Sequence, residues 1–188
     1  MDYTLIMWIS IIAISAMGTF AHFLYDLTGE HRTVGLFAAV NESTWEHIKI
    51  AITPSLLWAL YDGYYYGANP NYFCAKLMSL LVLVFFIPCV FYSYKKITKK
   101  SILVIDITTF YAAIILSQLT FYTIINLAPM WHIFTYLSAT GLFIFFGCYM
   151  TLTLAPLKNF IFKDPITGKY GFRAHRNFFK NLKKKPKK

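Results

Sequence analysis

The polar residues of the segment V-N-E-S-T-W-E-H-I-K, residues 40–49, are the best candidates for chemistry in this chain. They stand directly before an apolar stretch that is long enough to cross a membrane. Ionisable groups at a bilayer boundary are costly to hold there and commonly serve a function. Carboxylates and an imidazole can act as general acid and base, so we take Glu42, Glu46 and His47 as the candidate catalytic residues.

Four further polar residues complete the predicted site as ligand-binding groups. Asn41 and Lys49 belong to the same segment, and His22 and Asp26 lie four residues apart near the end of the first apolar stretch. Residues with that spacing share one face of a helix. We expect His22 and Asp26 to contact the 41–49 segment, because the predicted topology places both groups at the same depth of the membrane.

The start of the second helix has two interpretations. If the helix begins at Asn41, then Glu42 and Glu46 are four residues apart within it and point the same way. If Ser43 is the N-cap, the sequence S-T-W-E is a capping box in which the Glu46 side chain reaches back, and Glu42 lies in the preceding loop. Both arrangements are chemically sound.

The residue types limit the classes of reaction. Mg²⁺ and Ca²⁺ prefer carboxylate and carbonyl oxygens, whereas Zn²⁺ accepts His and Glu. The sequence contains no H-E-x-x-H motif, no serine nucleophile elbow and no glycine-rich phosphate loop, so it supports neither serine chemistry nor nucleotide binding. The metal is therefore unknown, and the sequence requires no cofactor.

Composition places the chain among integral membrane proteins. Of its 188 residues, 57% are hydrophobic and only 14% are charged, against about 25% charged residues in a soluble domain. A helix needs about 20 mostly apolar residues to cross the hydrocarbon. We predict an all-α polytopic membrane protein, a bundle of about five transmembrane helices, with spans at 3–25, 47–66, 73–94, 102–125 and 131–155.

The distribution of basic residues predicts the orientation of the spans. Cytoplasmic loops carry an excess of Lys and Arg. With the amino terminus outside, 17 of the 18 Lys and Arg fall on the inner side, and the exception is Lys76. We predict a multi-pass protein of the cell membrane with an external amino terminus and a cytoplasmic carboxyl terminus, which puts the polar site at the cytoplasmic face. Asp62 is expected to lie at the outer interface.

Residues 157–188 are predicted to form a basic cytoplasmic tail beside the transmembrane domain of residues 1–156. Clustered Lys and Arg beside a membrane helix attract anionic lipid, at roughly 1 kcal/mol per charge. Besides the lipid bilayer itself, we therefore expect anionic lipid headgroups as partners and no nucleic acid. The lysines concerned are Lys180, Lys183, Lys184, Lys185, Lys187 and Lys188.

Three stretches of the sequence resemble a group of small bacterial integral membrane proteins of unknown function. They are H-F-L-Y-D-L-T-G at 22–29, V-N-E-S-T-W-E-H-I-K at 40–49 with Pro54 shortly after it, and D-P-I-T-G-K-Y-G at 164–171. The resemblance covers most of the chain and implies a multi-span bacterial membrane protein. It implies no activity and no ligand.

Two functions are compatible with these features. The first is a membrane protein that binds or moves a ligand, or assembles with a partner, through the polar site at the cytoplasmic face. The second is a membrane-embedded hydrolase, with or without a metal, that acts on lipid or peptide. Its acid–base or metal-binding groups would be Glu42, Glu46, His47 and His22.

Overall fold

The structure, a computed structural model, describes residues 3–175. This part of the chain folds into five long α-helices and two short 3-10 turns, without a β-strand. The prediction of an all-α helical bundle is confirmed, and the predicted spans differ from the helices only at their ends. The helices are α1 (Tyr3–Leu27), α2 (Thr44–Tyr66), α3 (Tyr72–Thr98), α4 (Leu103–Ile125) and α5 (His132–Leu154).

Four of these helices, α1, α3, α4 and α5, are long and apolar enough to cross a membrane. Their outward faces carry large apolar side chains that stay exposed, such as Phe85 on α3 and Phe143 on α5. A soluble monomer rarely exposes so much apolar surface, whereas a protein surrounded by lipid tails does. The chain is therefore a multi-pass membrane protein.

Helix α2 lies inside the bundle and packs against α1, α3 and α4. It runs antiparallel to α1. His47 near its start faces His22 near the end of α1, and Tyr66 at its end packs in one cluster with Ile6 near the start of α1. With 23 residues it is about 35 Å long. The first half of α2 is largely buried between its neighbours, whereas Leu60 and Tyr64 in its second half stay exposed. That α2 is a fifth membrane crossing stays a prediction from the sequence.

Close packing between α1 and α2 depends on Gly18 and Pro54. Pro54 has no backbone N–H to donate to the carbonyl of Ile50, one turn earlier in α2. Helix α1 passes this point so closely that a Cβ atom on Gly18 would lie 2.7 Å from the Ile50 oxygen. Glycine is therefore needed here for the close approach of the two backbones.

A buried ion pair joins α2 to α3 at the end of the bundle away from His22. The Lys76 ammonium lies 2.5 Å from an Asp62 oxygen and 4.3 Å from the centre of the Phe121 ring. Asp62 is fully buried, so its carboxylate faces Lys76 inside the protein and not water, while its position at the outer interface stays a prediction. The pair also accounts for Lys76, the exception in the distribution of basic residues, because its charge is balanced inside the protein.

The chain after α5 folds back over the end of the bundle at which α1 ends and α2 begins. We call residues 156–175 the C-terminal segment. Its Phe162 is buried against Trp45 of α2, with ring centres 5.0 Å apart, and the backbone N–H of Trp45 donates to the Ile161 carbonyl. The first part of the predicted tail is thus packed structure. The six lysines expected to bind anionic lipid lie outside the described residues.

Candidate functional site

A cavity of about 230 Å³ opens at this end of the bundle. Three distant parts of the chain line it: the end of α1, the loop before α2 and the C-terminal segment. Ionisable and apolar side chains both contribute to its walls. Four predicted site residues line it: His22, Asp26, Asn41 and Glu42. Asp164 and His175, which were not predicted from the sequence, line it as well.

The start of α2 decides between the two interpretations of the polar segment. Ser43 is the N-cap residue of α2, so the interpretation that begins the helix at Asn41 is wrong. The capping box of the second interpretation does not form either, because the Ser43 side chain makes no cap hydrogen bond. The Ser43 N–H donates to the Asn41 side-chain oxygen at 2.8 Å, and Glu46 accepts the N–H of Val40 at 3.0 Å. Glu42 lies in the preceding loop, as the Ser43 cap requires.

His22, Glu42 and His47 meet beside the cavity. One Glu42 carboxylate oxygen lies 3.9 Å from the Nε2 atom of each histidine. One ligand atom from each residue falls within 4.8 Å of the other two. The three side chains are between 33% and 44% exposed, so a small ion can reach them. His22 thus contacts the 41–49 segment, as predicted from the sequence, whereas Asp26 faces His175 of the C-terminal segment.

The backbone fixes the orientation of the His47 ring. Its Nδ1 atom lies 3.0 Å from the Ser43 carbonyl oxygen. A carbonyl only accepts hydrogen bonds, so we assign the proton to Nδ1. In the neutral ring, Nε2 then carries the lone pair and faces Glu42. Metal-binding histidines are commonly oriented by such a bond from the other ring nitrogen.

Glu46 and Lys49 form a buried ion pair that does not line the cavity. The Lys49 ammonium lies 2.5 Å from a Glu46 oxygen and donates to the Gly35 carbonyl at 2.8 Å. The same Glu46 oxygen accepts the Val40 N–H. The pair therefore holds the 30–40 loop against the first turn of α2. Its burial separates Glu46, predicted as a catalytic residue, and Lys49, predicted as a ligand-binding residue, from the cavity.

His175 fastens the C-terminal segment to the end of α1. Its Nε2 atom lies 2.9 Å from an Asp26 oxygen, and its Nδ1 atom lies 3.6 Å from a Glu30 oxygen. The His175 ring also packs edge-on against Tyr25, with centres 5.1 Å apart. These three acid and imidazole groups also lie close enough to hold an ion. Because both ring nitrogens already face carboxylates, we interpret the group as a structural link that engages Asp26.

Asp164 holds Glu42 in place across 122 residues of sequence. One Asp164 oxygen accepts the Glu42 N–H at 3.1 Å, and the other accepts the N–H and the hydroxyl of Thr167 at 2.7 and 2.6 Å. Asn41 donates to the Gly171 carbonyl at 3.1 Å. The D-P-I-T-G motif is typical of a turn stabilised by its Asp side chain. It gives no indication that the turn reaches the site.

The fold and the cavity define a class, a multi-pass helical membrane protein with a polar site at one end of its bundle. The family of unknown function DUF6512 matches residues 2–172, and the chain belongs to this family. No curated protein and no solved structure matches the chain. An uncharacterised family is thus confirmed, while the bacterial origin stays an implication of the resemblance.

Proposed function

We propose that this membrane protein binds a divalent transition-metal ion at its cytoplasmic face through His22, Glu42 and His47. The observation that carries the proposal is the approach of two imidazole nitrogens and one carboxylate oxygen to within 4.8 Å of one another. Two histidines and one glutamate form a donor set that Zn²⁺ accepts. The cytoplasmic placement rests on the distribution of basic residues.

Small movements are enough to complete such a site. Ligand atoms around a tetrahedral Zn²⁺ at its usual bond lengths are about 3.3 Å apart, and Glu42 lies 3.9 Å from each histidine. Glu42 belongs to a loop and is exposed, so rotation of its side chain can shorten both of its distances. The two histidine nitrogens lie within 4.8 Å of each other, and rotation of the partly exposed His22 side chain would have to bring them closer. His47 is already oriented by the Ser43 carbonyl.

Zn²⁺ titration of the full-length protein in detergent, followed by isothermal calorimetry, tests the proposal. We expect one ion per chain, and a loss of affinity of at least about tenfold in His22→Ala and in His47→Ala. His132→Ala is the matched control, because His132 is an exposed histidine at the opposite end of the bundle. Wild-type affinity in all three variants would contradict the proposal.

A metal-dependent hydrolase acting on lipid or peptide is the second candidate. It is favoured by the cavity beside the three ligands, because catalytic zinc sites commonly combine three protein ligands with one open position for water. A bound ion would lower the pKa of such a water and supply a nucleophile near neutral pH. His22, Glu42 and His47 would then hold the ion beside the cavity. Buried Glu46 has no part in this mechanism.

Fluorogenic ester and peptide reporters distinguish the two candidates. Zinc-dependent hydrolysis by the wild-type protein that is lost in His47→Ala and kept in His132→Ala would support the hydrolase. Zinc binding without hydrolysis of either reporter would support binding alone.

A further inference from the structure

The cavity beside the proposed metal site has an apolar rim. Phe23, near the end of α1, and Ile166, in the turn that follows Asp164, both line the cavity and are 58% and 76% exposed. An isoleucine exposed on a tight turn is unfavourable in water. At the surface of a bilayer the same side chain meets the boundary between headgroups and acyl chains, where apolar side chains are stabilised.

A bound divalent cation would make the charge of this cavity two units less negative. Asp26 already faces His175, and the Asp164 carboxylate accepts three hydrogen bonds. Three carboxylates line the cavity, those of Asp26, Glu42 and Asp164, and an ion of +2 offsets two of their charges at the end where Glu42 lies. Without the ion the carboxylates repel an anion, and with the ion an anion that binds it directly gains the attraction of the ion.

The C-terminal segment also carries basic side chains near the apolar rim. Lys163 and Lys169 flank the turn that holds Ile166, and Arg173 follows it; all three are exposed. The backbones of Lys163 and Tyr170 pair across the base of this turn, which fixes both lysines beside it. Each such charge near an anionic bilayer contributes about 1 kcal/mol to binding. The segment is therefore suited to lie against an anionic leaflet.

We propose that the metal-loaded site binds the phosphate group of an anionic phospholipid from the leaflet that it faces. This inference rests on the metal site proposed above. A phosphate oxygen takes the open position of the ion, and the acyl chains stay in the bilayer beside Phe23 and Ile166. A cavity of about 230 Å³ admits a headgroup and leaves the chains outside.

Cobalt absorption spectroscopy tests this inference, because the visible bands of bound Co²⁺ change when one of its ligands changes. The full-length protein is loaded with Co²⁺ in phosphatidylcholine nanodiscs, with and without phosphatidylglycerol. Glycerol 3-phosphate is added to phosphatidylcholine discs as a soluble source of the same group. We expect a shift of the cobalt bands in the discs that contain phosphatidylglycerol, and the same shift with glycerol 3-phosphate only at much higher concentration.

Substitution of the rim separates lipid binding from ion binding. Ile166→Ser should lose most of the shift caused by phosphatidylglycerol and keep both Co²⁺ binding and the response to glycerol 3-phosphate. Ile133→Ser is the control, because Ile133 is 54% exposed at the opposite end of the bundle. Neither substitution changes the charge of the protein, and both variants are measured in the same discs. A difference between them is therefore not caused by Co²⁺ that collects at the anionic surface.

The outcomes that overturn the inference differ from those that overturn the metal site. Bound Co²⁺ with identical bands in all discs would refute lipid binding and leave the metal site standing. A response to glycerol 3-phosphate alone would make a soluble phosphate the ligand and refute the lipid. Absence of Co²⁺ binding in every disc would refute the metal site and the inference together.

Discussion

Glu42 and Glu46 are identical side chains four residues apart, and their surroundings give them different roles. Glu46 is 3% exposed and paired with Lys49. The Glu42 side chain is 44% exposed and faces two histidines. The N-cap at Ser43 causes the difference. Helix α2 begins after Ser43, so Glu46 lies in its first turn and Glu42 lies in the loop before it. Only Glu42 keeps the access that a ligand requires.

Glutamine substitutions test this division of roles. Glu46→Gln leaves the buried Lys49 ammonium without its carboxylate, and breaking a buried pair costs about 3–5 kcal/mol. We expect a clearly lowered unfolding temperature in detergent. Glu42→Gln removes an exposed charge, so it should unfold near the wild-type temperature and bind Zn²⁺ at least about tenfold more weakly. Wild-type stability combined with lost zinc binding in Glu46→Gln would return Glu46 to the site.

At the scale of the helices, α1 and α2 pack backbone against backbone at Gly18. The β-carbon of Gly18→Ala would lie 2.7 Å from the Ile50 oxygen and 2.7 Å from a carbon of the Phe110 ring. The ring can turn aside, but the carbonyl belongs to a helix backbone and cannot. We expect a loss of about 1–3 kcal/mol in the free energy of unfolding.

Gly147→Ala is the matched control for this substitution. Gly147 is also inside a long helix, and a β-carbon there would meet no atom within 4 Å. Thermal unfolding of both variants in the same detergent measures the difference. Equal unfolding temperatures would show that α1 and α2 are not packed as closely as the structure has them.

The buried Asp62–Lys76 pair, which joins α2 to α3, leads to a second prediction about helix packing. Asp62→Asn or Lys76→Met leaves one buried charge without its partner and should cost about 3–5 kcal/mol. The double variant removes both charges, so it should be more stable than either single variant. Unfolding by denaturant gives the three values. If the single variants unfold at the same denaturant concentration as the wild type, the pair is hydrated and contributes nothing to the free energy of unfolding.

At the scale of the whole molecule, the helices could be predicted from the sequence because each one is a single long apolar stretch. Part of the site followed from the same reasoning. Two successive antiparallel spans must bring the end of the first, with His22, to the start of the second, with Glu42 and His47. The burial of Asp62 could not be predicted, since it depends on a partner supplied by α3.

The remaining site residues could not be predicted because their contacts join distant parts of the chain. Asp164 reaches Glu42 across 122 residues, and His175 reaches Asp26 across 149 residues. Their positions depend on how the C-terminal segment folds back over the helices. The basic composition of residues 157–188 indicated a tail and contained no sign that its first part packs against the bundle.

The orientation of the whole molecule determines which compartment supplies the proposed metal site. We predict that the site faces the cytoplasm, because the Lys and Arg residues concentrate at that end of the bundle. Ala68 in the α2–α3 connection and Lys100 in the α3–α4 connection are both exposed, at opposite ends. Each can be replaced by cysteine after removal of the three free cysteines, Cys74, Cys89 and Cys148.

A membrane-impermeant thiol reagent applied to intact cells should label Ala68→Cys and spare Lys100→Cys. Permeabilised cells are the control, because both positions should then react. Labelling of position 100 alone in intact cells would place His22, Glu42 and His47 outside. The ion would then come from the external medium, and the basic residues of the C-terminal segment would face the outer leaflet. That result would contradict the cytoplasmic site. It would also turn those basic residues away from the cytoplasmic leaflet, which holds most of the anionic lipid.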